Sequence, residues 1–159
     1  MGMIGYLREV SDADLRQLDD DSKAYDLFRH TDRVALCLEK DWHALHYLLT
    51  GSTEGGGDPL GFLLTGGREV GAELGYGRPR LLDLGFVQRL NKALQGITED
   101  QFWSRYDAQR LEAEEIYPGN WNDEPPESQR DAYIPVFNEV REYVARVAAA
   151  HGQMGVVIV

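Results

Sequence analysis

The chain has 159 residues, of which 43% are hydrophobic and 27% charged, and its formal net charge is −11. This length and composition suit one compact domain with a sizeable core, which we place at residues 1–159. The single cysteine, Cys37, excludes an internal disulfide, and its apolar surroundings predict a buried thiol. The opening residues lack the features of a signal peptide, and no apolar run is long enough for a bilayer, so we expect a soluble cytoplasmic protein.

The negative charge is concentrated in one segment. Residues 107–131 contain eight acidic residues and two arginines and contribute −6 to the net charge. An acidic surface repels the phosphate backbone, which excludes nucleic acid as the expected partner. The same field favours a protein partner with a basic surface. Alternatively, the excess of acidic residues only keeps the protein soluble, and this alternative stays open.

The first third of the chain predicts a strand, two helices and an apolar segment. Met3–Val10 has the apolar, β-prone composition of a strand. Ser11 precedes acidic residues and predicts the cap of a helix that ends near Leu18. Ser22 is in a position to cap a second helix. Val34–Leu38 is predicted to be either a strand or the start of the next helix.

The stretch KDWHALHYLLTG predicts a core helix. Trp42, Leu45, His46 and Leu49 fall at helical spacing and share one face. Gly51 follows and predicts the end of the helix.

The middle of the chain is rich in glycine. Residues 51–79 contain ten glycines and predict irregular structure with tight turns. The segment 80–83 is predicted to be a strand or a helix start, and 83–94 has a helical pattern. Thr98 predicts the cap of a further helix, and 107–116 forms one more short helical piece.

The last third predicts a turn, a loop, a long helix and a strand. Residues 117–121 form the turn, and the acidic, proline-containing segment 122–127 forms a solvent loop. A long amphipathic helix reaches Ala150, with Pro135 either at its start or at a kink. The apolar segment 154–159 predicts a closing strand that pairs with the opening one. The predicted fold is therefore mixed α/β, a small sheet that includes both terminal strands and is covered by helices.

Two histidines on the core helix raise the question of a metal site. His43 and His46 are three residues apart and could share an ion. A zinc site needs at least a third protein ligand, and no further His or Cys pair stands at ligand spacing. The pair also lacks the HExxH pattern of metalloproteases. We therefore predict no metal, and we expect His46, on the apolar face, to be structural.

The remaining motifs supply no cofactor site. The glycines of 66–71 and 75–77 match neither the phosphate-loop nor the dinucleotide-binding pattern. No GxSxG elbow is present, and Cys37 has no evident base nearby. The sequence predicts no cofactor and no complete set of catalytic residues.

Aromatic and cationic residues form one candidate binding site. Turns and helix starts carry aromatic side chains beside arginines, an arrangement that can line a ligand pocket. His43 would act there as general acid or base and Arg80 would hold an anion. The candidate site residues are Trp42, His43, His46, Tyr76, Arg78, Arg80, Tyr117 and Trp121. Alternatively, these aromatic residues only attach the glycine-rich loops to the core.

Four stretches resemble one known family. MGMIGYLREVSDADL, DWHALHYLLTGS, LGYGRPRLL and IYPGNW occur in this order and are similar to the YfbM-like family of bacterial proteins of unknown function. The resemblance covers nearly the whole chain and implies a single α/β domain with a mixed sheet and surrounding helices. It implies no activity, substrate, cofactor or catalytic residue. The acidic loop before Pro125 matches no motif of that family.

Two functions of different classes agree with these observations. The first is a non-enzymatic binding module that uses its acidic surface, as immunity proteins do when they mask a partner. The second is an enzyme or small-molecule binder with a pocket between the histidine helix and the loops 76–80 and 117–121. The missing catalytic set favours the first function.

Overall fold

A computed structural model describes residues 2–17, 20–29 and 35–159. Its five strands form one sheet in the order β2-β1-β5-β4-β3. The strands are β1 (Gly5–Val10), β2 (Ala35–Glu39), β3 (Arg68–Glu69), β4 (Arg80–Leu82) and β5 (Gln153–Ile158). Seven helices accompany them in the described ranges: α1 (Asp12–Leu15), α2 (Asp21–Arg29), α3 (Trp42–Thr50), α4 (Leu84–Gln95), α5 (Glu99–Trp103), α6 (Ala108–Ala113) and α7 (Pro126–Ala149).

The two terminal strands pair at the centre of the sheet, as the sequence predicts. β1 and β5 are antiparallel, with Tyr6 opposite Val157. The other strand pairs are also antiparallel, so the described sheet is not of the mixed type that the family resemblance implies. The mixed α/β class and the covering helices are confirmed.

Alternate residues of the central strands enter two separate apolar layers. Leu7, Val156 and Ile158 belong to the main core together with α3, α4 and α7. Val157 and Leu81 belong to a second apolar cluster and face the opposite side. This alternation follows from the two-residue period of a strand and gives the sheet two buried faces.

The predicted caps at Ser11 and Thr98 are confirmed, and the one predicted at Ser22 is not. Ser11 and Thr98 form capping boxes, and Asp83 caps α4. Ser22 lies inside α2, which begins at Asp21, and the predicted end near Leu18 and the residue Val34 lie outside the described residues.

Two predictions about α7 and β2 need correction or refinement. α7 begins at Pro126, and Pro135 lies inside it rather than at its start. Proline at the first helical position loses no intrahelical bond, which explains this start. The segment before α3 is strand β2, and Cys37 within it is exposed, not buried. Its Sγ donates to the Glu39 carboxylate at 3.3 Å, and partial burial raises the pKa of the thiol.

The longest helix, α7, has 24 residues, and its buried side chains lie between Tyr133 and Ala148. Within the ranges that the structure describes, no helix is both long and apolar enough to cross a membrane.

The absence of a side chain at residue 155 permits α2 to cover the second face of the sheet. Gly155→Ala is expected to lower the free energy of unfolding by about 1–3 kcal/mol, because the new Cβ would overlap the ring of Phe28. Chemical denaturation measures this loss. Gly85→Ala serves as the control, since its Cβ approaches no atom closer than 3.6 Å. If the overlap is the cause, the loss is smaller in a Phe28→Leu background, and an unchanged loss there contradicts the explanation.

Candidate functional site

Helix α3 supplies the candidate histidines and lies in the main core. Its residues from Trp42 to Leu49 are all buried. Gly51 ends the helix with a φ of 72°, a conformation that glycine adopts without strain. The Arg105 guanidinium donates to the carbonyls of Leu48 and Leu49 at 2.9 and 3.1 Å, so a cation satisfies the helix C-terminus.

Four of the predicted site residues form an aromatic cluster. The Trp42 ring centroid lies 5.1 Å from that of His43, 5.4 Å from that of Tyr76 and 5.8 Å from that of Tyr117. The Trp42 indole donates to the carbonyl of Met3 at 3.2 Å. The structure therefore brings together the helix and the two loops that the sequence predicts to meet.

Both ring nitrogens of His43 are engaged by backbone groups. Nδ1 accepts a hydrogen bond from the N–H of Tyr117 at 3.0 Å. Nε2 lies 2.9 Å from the carbonyl of Thr53, and since Nδ1 is an acceptor, Nε2 carries the proton and donates it. In this arrangement His43 holds two loops against α3 and has no ring nitrogen available for a substrate.

His46 is fully buried one helical turn further along. Its exposed fraction is 0%, and neither ring nitrogen has a hydrogen-bond partner among the described residues. Burial is the main cause that lowers the pKa of His46 to about 4; the charge of His43 acts in the same direction, and the backbone of Gly55 opposes the shift. The imidazole of His46 is therefore uncharged in the folded chain at neutral pH.

Arg80 is largely buried and binds backbone rather than open solvent. Nη1 donates to the carbonyls of Thr65 and Gly66 at 2.5 and 2.8 Å, and Nη2 donates to that of Phe62 at 2.6 Å. Burial lowers the pKa of Arg80 to about 10, opposed by the charges of nearby carboxylates. The guanidinium is therefore still charged at neutral pH. Its hydrogen bonds connect the turns of residues 62–66 to strand β4.

Tyr76 and Arg78 are exposed and line, with Arg80, an opening of only about 70 Å³. Neither His43 nor Tyr117 lines it. Ligand pockets commonly measure a few hundred Å³. The three predicted segments meet, but they meet by packing rather than around a deep pocket.

Trp121 lies outside the aromatic cluster. Its ring packs against Tyr133 with centroids 5.7 Å apart, and its indole N–H donates to the carbonyl of Ile116 at 2.7 Å. Its backbone N–H donates to the Glu112 carboxylate at 2.7 Å. These contacts fix the turn that joins α6 to α7.

Sequence reasoning missed a half-buried carboxylate next to the cluster. Asp41 precedes α3, and it accepts a hydrogen bond from the Tyr133 hydroxyl at 2.9 Å. Burial raises the pKa of Asp41, which this hydrogen bond partly offsets. Burial and Asp41 also raise the pKa of Tyr133. The only signal in the sequence is a carboxylate at a helix start, and such a residue usually caps the helix instead.

The described residues contain no group of three His, Cys, Asp or Glu side chains arranged to hold a metal ion. In the present conformation the backbone bonds of His43 also prevent the two histidines from sharing an ion.

Comparisons with known proteins give a family and a fold. A family model described as "Domain of unknown function (DUF1877)" matches residues 1–157. Among solved structures, the chain is similar to YfbM from Escherichia coli, described as a protein of unknown function, with a TM-score of 0.76 and 23% sequence identity. The similarity covers 98% of this chain and 99% of that one. A search of curated proteins found no match. The chain therefore belongs to the DUF1877 family, and it has the fold of the YfbM-like proteins that its sequence resembles.

Proposed function

We propose that the protein is a non-enzymatic interaction module that binds a basic protein partner through its acidic segment, residues 107–131. The observation that carries this proposal is the set of exposed carboxylates of this segment that have neither a cationic partner nor a hydrogen bond among the described residues. They are Glu115, Asp123, Glu124, Glu127 and Asp131.

The two arginines of the acidic segment do not neutralise these carboxylates. Arg110 pairs with Glu114 at 2.9 Å, and Arg130 pairs with Asp100, outside the segment, at 2.9 Å. The unpaired acids therefore produce a negative field that attracts basic partners and speeds their association.

Two open surface depressions of about 340 and 400 Å³ lie within the segment. Ile116 and Pro118 line the first one beside Glu115, and Pro125 lines the second beside Asp123 and Glu124. Apolar walls next to carboxylates suit lysine and arginine side chains, whose aliphatic stems pack while their charged ends meet the acids.

The geometry of the aromatic cluster supports the same proposal against the enzymatic alternative. His43, the candidate acid or base, uses both ring nitrogens on the backbone. Arg80, the candidate anion holder, donates to three backbone carbonyls. These residues have the partners expected of structural groups, and masking of a partner, as by immunity proteins, needs no catalytic residue.

A pull-down from host cells with three baits tests the proposal. The first bait is the wild-type chain. The second neutralises four acids of the segment, Glu115→Gln, Asp123→Asn, Glu124→Gln and Glu127→Gln. The third is a control with the same change in net charge at exposed acids elsewhere, Glu54→Gln, Glu73→Gln, Glu139→Gln and Glu142→Gln.

We expect the wild-type and control baits to retain the same protein, identified by mass spectrometry as positively charged, and the segment variant to lose it. Retention should fall between about 50 mM and about 500 mM salt, because salt screens exposed charges. Equal retention by the segment variant and the control, or no protein retained above background, would overturn the proposal.

A further inference from the structure

A second surface site involves no residue of the acidic segment. A depression of about 440 Å³ lies between the sheet and the first turns of α4. Arg68 of β3, Asp83, Phe86 and Arg89 at the start of α4, and Gln153 of β5 contribute to its lining. Its volume falls within the range of small-molecule sites.

Two arginines without partners line this depression. Arg68 and Arg89 are exposed, and neither side chain makes an ion pair or hydrogen bond with any described residue. The Arg89 guanidinium lies 5.4 Å from the centroid of the buried Phe86 ring, which limits its orientations. In a chain of net charge −11, two unpaired guanidiniums in one depression form a local positive site. Guanidinium groups bind phosphates and carboxylates through paired hydrogen bonds.

The other polar groups of the depression suit hydroxyls. One oxygen of Asp83 accepts the N–H of Phe86 at 2.8 Å, and the second oxygen has no hydrogen-bond partner in the described part of the chain. The side-chain amide of Gln153 likewise has none there and can both donate and accept. A bare anion would be repelled by Asp83, whereas a ligand that also carries hydroxyls can donate to this carboxylate.

We propose that this depression, the arginine site, binds a small polyhydroxylated anion, a sugar phosphate or a sugar acid. The anionic group lies between Arg68 and Arg89, and hydroxyls donate to Asp83 and bond to Gln153. This inference is independent of the proposed function, because the two sites share no residue.

NMR titration of the ¹⁵N-labelled full chain tests the arginine site. The probes are glucose, gluconate, glucose 6-phosphate and inorganic phosphate, each added up to about 10 mM, which detects millimolar affinities. We expect glucose 6-phosphate or gluconate to shift the amide signals of residues 67–68 and 85–89, and glucose to shift none of them. The double variant Arg68→Gln and Arg89→Gln should bind about tenfold more weakly, since it loses the charged donors.

The control variant carries Arg78→Gln and Lys92→Gln, which change the net charge equally outside the arginine site, and it should bind like the wild type. A response to glucose 6-phosphate alone identifies a phosphate ligand, and a response to gluconate alone identifies a sugar acid. The proposal is overturned if no probe shifts these signals, if inorganic phosphate binds as tightly as glucose 6-phosphate, or if the control variant loses as much affinity as the double variant.

Discussion

Replacement of Arg80 by methionine is expected to lower the free energy of unfolding by about 3–5 kcal/mol. Three backbone carbonyls, those of Phe62, Thr65 and Gly66, accept from this one guanidinium. Methionine fills a similar volume but offers no donor, so these carbonyls lose their charged partner inside a largely buried turn. Chemical denaturation followed by circular dichroism measures the loss.

The neighbouring exposed arginine supplies the control for this prediction. Arg78→Met removes the same charge from a side chain with no hydrogen bond among the described residues, and its effect should stay within about 0.5 kcal/mol. Arg80→Lys keeps the charge but loses the planar pair of donors. Its loss of unfolding free energy should therefore lie between those of Arg78→Met and Arg80→Met. Equal losses for Arg78→Met and Arg80→Met would show that charge, not the carbonyl contacts, determines the result.

His46 is expected to make the fold less stable as the pH falls from 6.5 towards 4. Its pKa is about 4 in the folded chain and near 6.5 when unfolded. Between these values the unfolded chain takes up a proton that the folded chain does not. The free energy of unfolding therefore decreases as the pH decreases. Across the interval between the two pKa values, the free energy of unfolding changes by roughly 3 kcal/mol. Above pH 6.5 the imidazole is neutral in both states and contributes no dependence on pH.

The His46→Leu variant isolates this effect from the titration of carboxylates. It should lose less stability than the wild type between pH 7 and pH 5, and denaturant midpoints at each pH measure the difference. His151→Asn is the control, because His151 is exposed and its replacement should leave the wild-type slope unchanged. If wild type and His46→Leu show the same slope, the imidazole of residue 46 does not titrate as its burial requires.

Local signals in the sequence predicted most of the helices and strands correctly. Gly51 and Thr98 act over three or four residues, and they end or cap the predicted helices. The terminal strands were predictable because their apolar composition requires pairing partners. The two-residue strand β3 was not, since in the described part of the chain it forms only two residue pairs, both with β4. The exposure of Cys37 also depends on which face of an edge strand is covered, which apolar composition does not reveal.

The sequence predicted the members of the candidate site better than their bonding. Aromatic residues in loops indicated that α3 meets the loops at Tyr76 and Tyr117, and the rings are within 6 Å of Trp42. The partners of His43 are backbone groups of Thr53 and Tyr117, and backbone groups carry no sequence signal. The arginine site was missed because its parts come from three elements far apart in the chain.

The central pairing of β1 with β5 has a consequence for how the chain is made. β1 is synthesised first among the strands, yet one of its two neighbours, β5, is synthesised last. Until residues 153–158 leave the ribosome, β1 can pair only with β2, and β4 only with β3. Isolated two-stranded hairpins are marginally stable in water. The nascent chain therefore holds two separate strand pairs, β1 with β2 and β3 with β4, and the single sheet forms only when β5 pairs with both β1 and β4.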